Sequence, residues 1–118
     1  MKNNEINNVY IVSGPAGVGK STVSKVFVRT LTNSAYISGD DISHMHCNGR
    51  KKPWESKEEN DLNWDNILCL TRNFIKNGID VVIDFVTFPH EAKWLKEHLQ
   101  DFNVDVHYVV LWADDETL

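Results

Sequence analysis

An α/β fold, a parallel sheet with helices on its faces, is the architecture this sequence predicts. Short apolar runs alternate with longer segments of helical period, the pattern of β-α units. Two of the runs, Val81 to Phe85 and Val106 to Trp112, are almost continuous in β-branched and aromatic residues, as strands buried on both faces are. The 118 residues hold 42% apolar and 25% charged side chains, 6 Gly and 3 Pro, an ordinary globular balance in a length that suits one domain with one core.

The first expected strand is Val9 to Ser13 (VYIVS). A helix follows from about Gly19 to Leu31, with Val23, Val26, Phe27 and Thr30 at helical spacing on one face. Ala35 to Ser38 (AYIS) is the second strand. The next helix is announced by Pro53 and by a capping box of Ser56 with Glu59. It carries Leu62, Ile67, Leu70, Phe74 and Ile75, and Asn77-Gly78 stops it. Val81 to Phe85 is the third strand; Pro89 to Gln100 is a helix with a proline in its first turn and Ala92, Leu95 and Leu99 facing inward. Val106 to Trp112 is the fourth strand. Ala113-Asp114-Asp115-Glu116-Thr117-Leu118 reads as the acid-rich first turn of a further helix, so the single domain spanning 1–118 is expected to be incomplete at its C-terminus.

Charge and cysteine content narrow the function classes. A formal net charge of -5 works against a surface that grips a long nucleic acid, because that needs a basic stripe. Cys47 and Cys69 are too few for a disulfide framework or a four-ligand zinc site. The polar N-terminus and the short run Val9 to Val12 supply neither a signal-peptide core nor a membrane span, so the expectation is a cytoplasmic protein with no membrane partner.

Between the first strand and the first helix, Gly14-Pro15-Ala16-Gly17-Val18-Gly19-Lys20-Ser21 fits G-x-x-x-x-G-K-[ST]. Glycines free the backbone to turn its N–H groups inward around phosphate oxygens, at the positive end of the following helix. Lys20 adds a mobile positive charge for the β- and γ-phosphates, the Ser21 hydroxyl is placed for the Mg²⁺ that bridges them, and Thr22 for the α-phosphate. A turn that only packs a helix on a strand has no use for Gly, Lys and Ser at these offsets.

Two acidic positions bear on phosphoryl transfer. Asp40, in Ser38-Gly39-Asp40-Asp41, stands at the carboxyl end of the second strand, where open α/β sheets place ligand-binding residues. Two readings fit it: a general base, or, for either Asp40 or Asp41, the cap of a short helix over Ile42 to His46. Asp84 ends the third strand after three apolar residues, either as a carboxylate for Mg²⁺ or as the wet end of the strand.

In order, GPAGVGKST, YISGDDISH, VVIDFVTF and VVLW resemble the small-molecule kinase branch of the P-loop proteins, which includes gluconate and shikimate kinases, chloramphenicol phosphotransferase and the kinase domain of polynucleotide kinases. The resemblance implies a three-layer P-loop NTPase fold with strand order 2-3-1-4-5, of which this chain supplies 2-3-1-4 and lacks the fifth strand. It also implies ATP with Mg²⁺, and an aspartate after strand two that deprotonates the acceptor hydroxyl, a role that falls on Asp40. A missing fifth strand leaves an open sheet edge, a place for pairing or a source of instability.

Departures from the branch are specific. Where polynucleotide kinases carry an arginine three residues beyond the first aspartate, this chain has Ser43; where gluconate kinases place a histidine four residues after the glycine, His44 here comes five after Gly39. Neither acceptor transfers. Members of the branch carry an arginine-bearing lid, and Arg29, Arg50 and Arg72 include no residue placed to match it. Arg50-Lys51-Lys52 lies where the branch binds its acceptor and reads either as an anion-holding run or as a solvated loop. Trp54 reads as a stacking surface for an acceptor ring or as packing, and Trp64, Trp94 and Trp112 as packing. His44-Met45-His46-Cys47, if extended, turns both imidazoles the same way and suits Zn²⁺, but it lacks a fourth ligand, which leaves His44 as a lining of the acceptor pocket.

The expected function is therefore an ATP- and Mg²⁺-dependent transfer of the γ-phosphoryl group to a hydroxyl of a small-molecule acceptor. Asp40 and Lys20 act in the transfer, Gly14 to Thr22 hold the nucleotide, Ser21 and Asp84 the metal, and Asp41, His44, Arg50 and Trp54 the acceptor. The alternatives are a non-catalytic nucleotide-binding domain or fragment, and a polynucleotide 5'-hydroxyl kinase. A switch-type GTPase is set aside because the guanine-reading Asn-Lys-x-Asp segment is absent from the sequence.

Overall fold

The computed structural model describes residues 6–112 and forms an α/β sandwich. In chain order the elements are β1 (Asn7–Ser13), α1 (Lys20–Thr30), β2 (Ser34–Ser38), α2 (Gly39–Met45), α3 (Lys57–Lys76), β3 (Asp80–Asp84), α4 (Pro89–Glu97) and β4 (Val104–Val110). The four strands make one parallel sheet in the order β2-β3-β1-β4. β4 lies two residues earlier than the sequence suggests because it pairs along the whole of β1, from Asn7 with Val104 to Ser13 with Val110. That leaves Leu111 and Trp112 beyond the strand, and Trp112 is 82% exposed rather than packed. The further helix expected over 113–118 lies outside the described residues.

The period-2 alternation of the strands divides the sheet into two faces. One carries Val9, Ile11, Ile37, Val81 and Ile83, buried against Trp64, Ile67 and Ile75 of α3 and Ala92 and Leu95 of α4, with Leu99 beyond it. The other carries Tyr10, which meets Phe27 of α1 edge to face at 4.7 Å between centroids. Val12 and Val82 are buried on this second side. Helices thus cover both faces of the central strands, but β4, at the sheet edge, alternates half-buried and exposed residues and is not the doubly buried strand that its apolar run suggests.

Which residues of the helices turn inward differs from the apolar pattern in two places. On α1, Val23 and Val26 are 44% and 59% exposed and Thr30 also faces solvent, while Ser24 is fully buried and Phe27 and Val28 are half-buried. Two stripes share one period on this helix, and the inward one contains the small residue. On α3 the buried stripe is Glu59, Asn63, Ile67, Thr71 and Ile75 at spacings of four, with Trp64 beside it. Its polar members displaced Leu62 and Leu70, which are 42% and 40% exposed. α4 begins at Pro89 as expected and ends three residues early at Glu97, with Ala92, Leu95 and Leu99 all buried.

Leu95→Ala, at a site with no exposure, is expected to lower the free energy of unfolding by about 2–5 kcal/mol. Val26→Ala is expected to stay within about 0.5 kcal/mol. Urea denaturation of both variants checks this, and equal losses would place Val26 in the core.

Candidate functional site

The loop from Gly14 to Gly19 joins β1 to α1 and is anchored at its root. Ser13 bonds to both neighbouring strands' continuations: its Oγ donates to the Thr87 carbonyl (3.0 Å) and accepts from the Thr87 N–H (2.8 Å), and its carbonyl accepts from Leu111 N–H (2.8 Å). Gly14 then passes so close to Leu111 that a Cβ would lie 2.8 Å from that residue's carbonyl oxygen. Gly19 holds a left-handed φ of 95° at the N-cap of α1 and offers no side chain to the first turn. The first N–H groups of α1 are therefore left to be met by solvent or by an anion. Lys20 Nζ folds back onto the Pro15 carbonyl at 3.3 Å.

This loop forms one wall of a cleft of about 470 Å³, with Ala16, Gly17, Gly19, Lys20, Ser21 and Thr22 lining it. The opposite wall holds Asp40, Asp41 and Asp84. Asp84, 8% exposed, ends β3 directly opposite Ser38 of β2, and the Tyr36 hydroxyl donates to its Oδ2 at 2.6 Å. Burial first, and the Asp84 carboxylate second, raise the Tyr36 phenol above its ordinary pKa. Ser21 and Asp84 are hard oxygen donors lining the same cleft as the glycine-rich loop, a set whose chemistry suits Mg²⁺. Among the described residues no cluster of three or more His, Cys, Asp or Glu forms a metal-binding group.

α2 starts at Gly39, directly after β2, and its N-cap is Ser38, whose Oγ accepts from Asp41 N–H at 3.2 Å. The capping role thus falls on Ser38, and Asp40 and Asp41 occupy the first turn, where the helix dipole favours carboxylates. A Cβ at Gly39 would overlap the Phe85 ring, so the helix starts this close to β3 only with glycine. Asp40 lines the phosphate-loop cleft and also a second cavity of about 430 Å³. His44, Arg50 and Trp54 line that second cavity together. Asp41 does not join them; one step further round α2, it faces the phosphate-loop cleft.

The extended His44-Met45-His46-Cys47 segment that a zinc site requires is not formed, because α2 runs through Met45. His44 Nδ1 donates to the Asp40 carbonyl at 2.7 Å, and His46 Nδ1 lies 2.8 Å from Glu59 Oε2. Glu59 N–H donates to Ser56 Oγ, as the capping box requires, but the Glu59 carboxylate turns to His46 and to Lys51 N–H (3.2 Å). It therefore ties the loop after α2 to α3. Tyr36 and Glu59 are contributors that the motifs did not single out. Tyr36 was accessible through β2 alternation, one step from Ser38 on the same face; Glu59 was masked by its second role as a cap.

The His46 hydrogen bond, aided by Lys51 N–H and opposed by burial, holds the Glu59 carboxyl below the ordinary carboxylate range. A depressed folded-state value contributes stability above the unfolded value and loses it as pH falls through the folded one. The melting-temperature gap between the wild type and Glu59→Gln should be widest above about pH 5 and close as the pH falls below about 4, measured by thermal denaturation across that range.

No curated protein matches the chain in sequence. Among solved structures it is similar to an APS kinase of Mycobacterium tuberculosis (19% identity, TM-score 0.72, covering 90% of this chain and 76% of that one). It is also similar to a chain of the Pnkp1/Rnl/Hen1 RNA repair complex (22% identity, TM-score 0.68, 98% of this chain and 37% of that one) and to APE1195 (17%, TM-score 0.73, 92% and 62%). The chain thus spans little more than a third of the RNA repair protein it matches. A family model described as an AAA domain, AAA_33, matches residues 9–118, from the first strand through the phosphate loop to the last residue. With that match over nearly its whole length and the β2-β3-β1-β4 sheet of the P-loop kinases, the chain belongs to this AAA-domain family.

Proposed function

We propose that this chain is the phosphotransfer domain of an ATP- and Mg²⁺-dependent kinase that moves the γ-phosphoryl group of ATP to a hydroxyl of a small-molecule acceptor. The observation that carries this reading is the position of Asp40, on the wall shared by the phosphate-loop cleft and the second cavity. A base between a nucleotide and an acceptor is the arrangement that in-line transfer requires.

The loop amides and Lys20 hold the β- and γ-phosphates, and Ser21 and Asp84 hold the metal. Mg²⁺, when bound, neutralises charge on the β- and γ-phosphate oxygens. The acceptor hydroxyl stands at Asp40, which accepts its proton as the hydroxyl oxygen forms a bond to the γ-phosphorus. The bond from that phosphorus to the β,γ-bridging oxygen breaks, ADP leaves and the phosphorylated acceptor remains. His44, Arg50 and Trp54 contact the acceptor, and Asp41 acts from the nucleotide side. Tyr36 fixes the orientation of Asp84 through its hydrogen bond. Among the described residues no helix is long and apolar enough to cross a membrane, and the acidic balance favours a small acceptor over a long polyanion.

Lys20→Ala should weaken Mg·ATP binding at least tenfold by calorimetry and abolish transfer. Asp40→Asn should leave binding within about twofold and reduce turnover by roughly 10²–10⁴, because a general base acts in the chemical step. Equal binding losses from the two changes would remove Asp40 from that step. Wild-type binding without transfer to any alcohol would make the chain a nucleotide-binding domain alone.

A further inference from the structure

We infer that Arg50 selects the acceptor, and that the cavity beside Asp40 takes an alcohol that also bears an anionic group, on a flat, largely apolar body. The inference rests on the phosphotransfer reading above and names the substrate class of that site.

Arg50 is a fixed cation. Its Nε donates to the Ser43 carbonyl (3.1 Å) and Oγ (3.0 Å), and its Nη2 donates to the same Oγ (2.8 Å). Ser43 is 1% exposed and belongs to α2, so the guanidinium is clamped to a buried point on a helix. The loop that carries it is held a second time, by Glu59 through His46 Nδ1 and Lys51 N–H. Among the described residues Arg50 makes no salt bridge. These bonds occupy the Nε–H and one Nη2–H, and the remaining N–H groups present the fork geometry that pairs with carboxylate or phosphate oxygens. The other carboxylate on the cavity wall, Glu91, is already engaged by Asn60 Nδ2 (2.7 Å) and Phe88 N–H (2.9 Å).

The anchorage point follows from the helix. Asp40 and Ser43 are three residues apart on α2, which places their Cβ atoms roughly 5–6 Å apart on one face. The base and the anchored cation therefore read two groups of one small molecule. The rest of the wall describes its body: Phe85 is buried, while Val86, Phe88 and Trp54 are 46%, 59% and 75% exposed. Exposed aromatic and apolar groups gathered around one cavity are a ligand surface. Lys52 Nζ stands 5.7 Å from the centroid of the Trp54 ring, with Glu55 Oε2 4.0 Å from it.

The test titrates the chain, saturated with Mg²⁺ and a non-hydrolysable ATP analogue, with four probes by calorimetry. Adenosine 3'-monophosphate has ring, hydroxyl and anion; adenosine lacks the anion, glycerol 3-phosphate the ring and glycerol both. Adenosine 3'-monophosphate should bind at least tenfold more tightly than adenosine and than glycerol 3-phosphate. Arg50→Ala should bring the ratio between adenosine 3'-monophosphate and adenosine close to one without changing affinity for the ATP analogue. Ser43→Ala and Arg50→Lys, which keep the charge but lose the clamp or the fork, should give intermediate ratios. Adenosine binding as tightly as its 3'-phosphate, or a ratio untouched by Arg50→Ala, would overturn the inference. Failure of the ATP analogue to bind would instead overturn the nucleotide reading beneath it, and this inference with it.

Discussion

Everything at the functional end of this molecule is hung from Ser13, the last residue of β1. Its side chain and carbonyl bond to the segments that follow β3 and β4, so three adjacent strands are tied together at one level. Only above that tie does the chain leave the sheet and enclose a space. Gly14 can pass Leu111 because it lacks a Cβ, and the loop then turns into α1 through Gly19. Rigidity below and bare backbone above are complementary: backbone amides serve an anion best when they are free of side-chain competitors and held in place before it arrives.

The second strand pair repeats this logic with different chemistry. Ser38 and Asp84 are register partners at the carboxyl ends of β2 and β3, and Ser38 is also the cap that starts α2. Helix and Asp84 carboxylate are thereby set by the same residue pair. Since α2 begins without a connecting loop, Asp40 has little freedom to move relative to Asp84. Phe85 completes the arrangement by packing against Gly39 on one side and lining the second cavity on the other.

The strands, the helices and the glycine-rich turn between β1 and α1 were legible because their signals are local: a backbone turn, a strand end, a residue type at a fixed offset; the strand order came with the family resemblance that the turn's motif carries. What escaped the sequence depends on which neighbour is present in space. On α1 two stripes have equal periodicity, and only the packed sheet chooses Ser24 over Val23 and Val26. On α3, Asn63 and Thr71 are buried because they share a stripe with Ile67, against their usual preference for solvent. Glu59 read as half of a capping box, since spacing cannot reveal that its carboxylate has a better partner in His46. Arg50 stood out as a charge, but its anchorage on Ser43, seven residues earlier, has no periodic signature.

The distribution of the tryptophans gives the molecule an optical consequence. Trp64 is 4% exposed in the core, while Trp54 is 75% exposed on the wall of the second cavity with an ammonium group beside it. A water-soluble quencher such as iodide reaches the second and not the first, and Trp112, at 82% exposed, is separable by replacement with phenylalanine. Trp94, half-buried on α4, is separable in the same way. With both replaced, the remaining quenchable emission belongs to the cavity wall, so occupancy of that cavity and integrity of the core become two independent colours of the same spectrum.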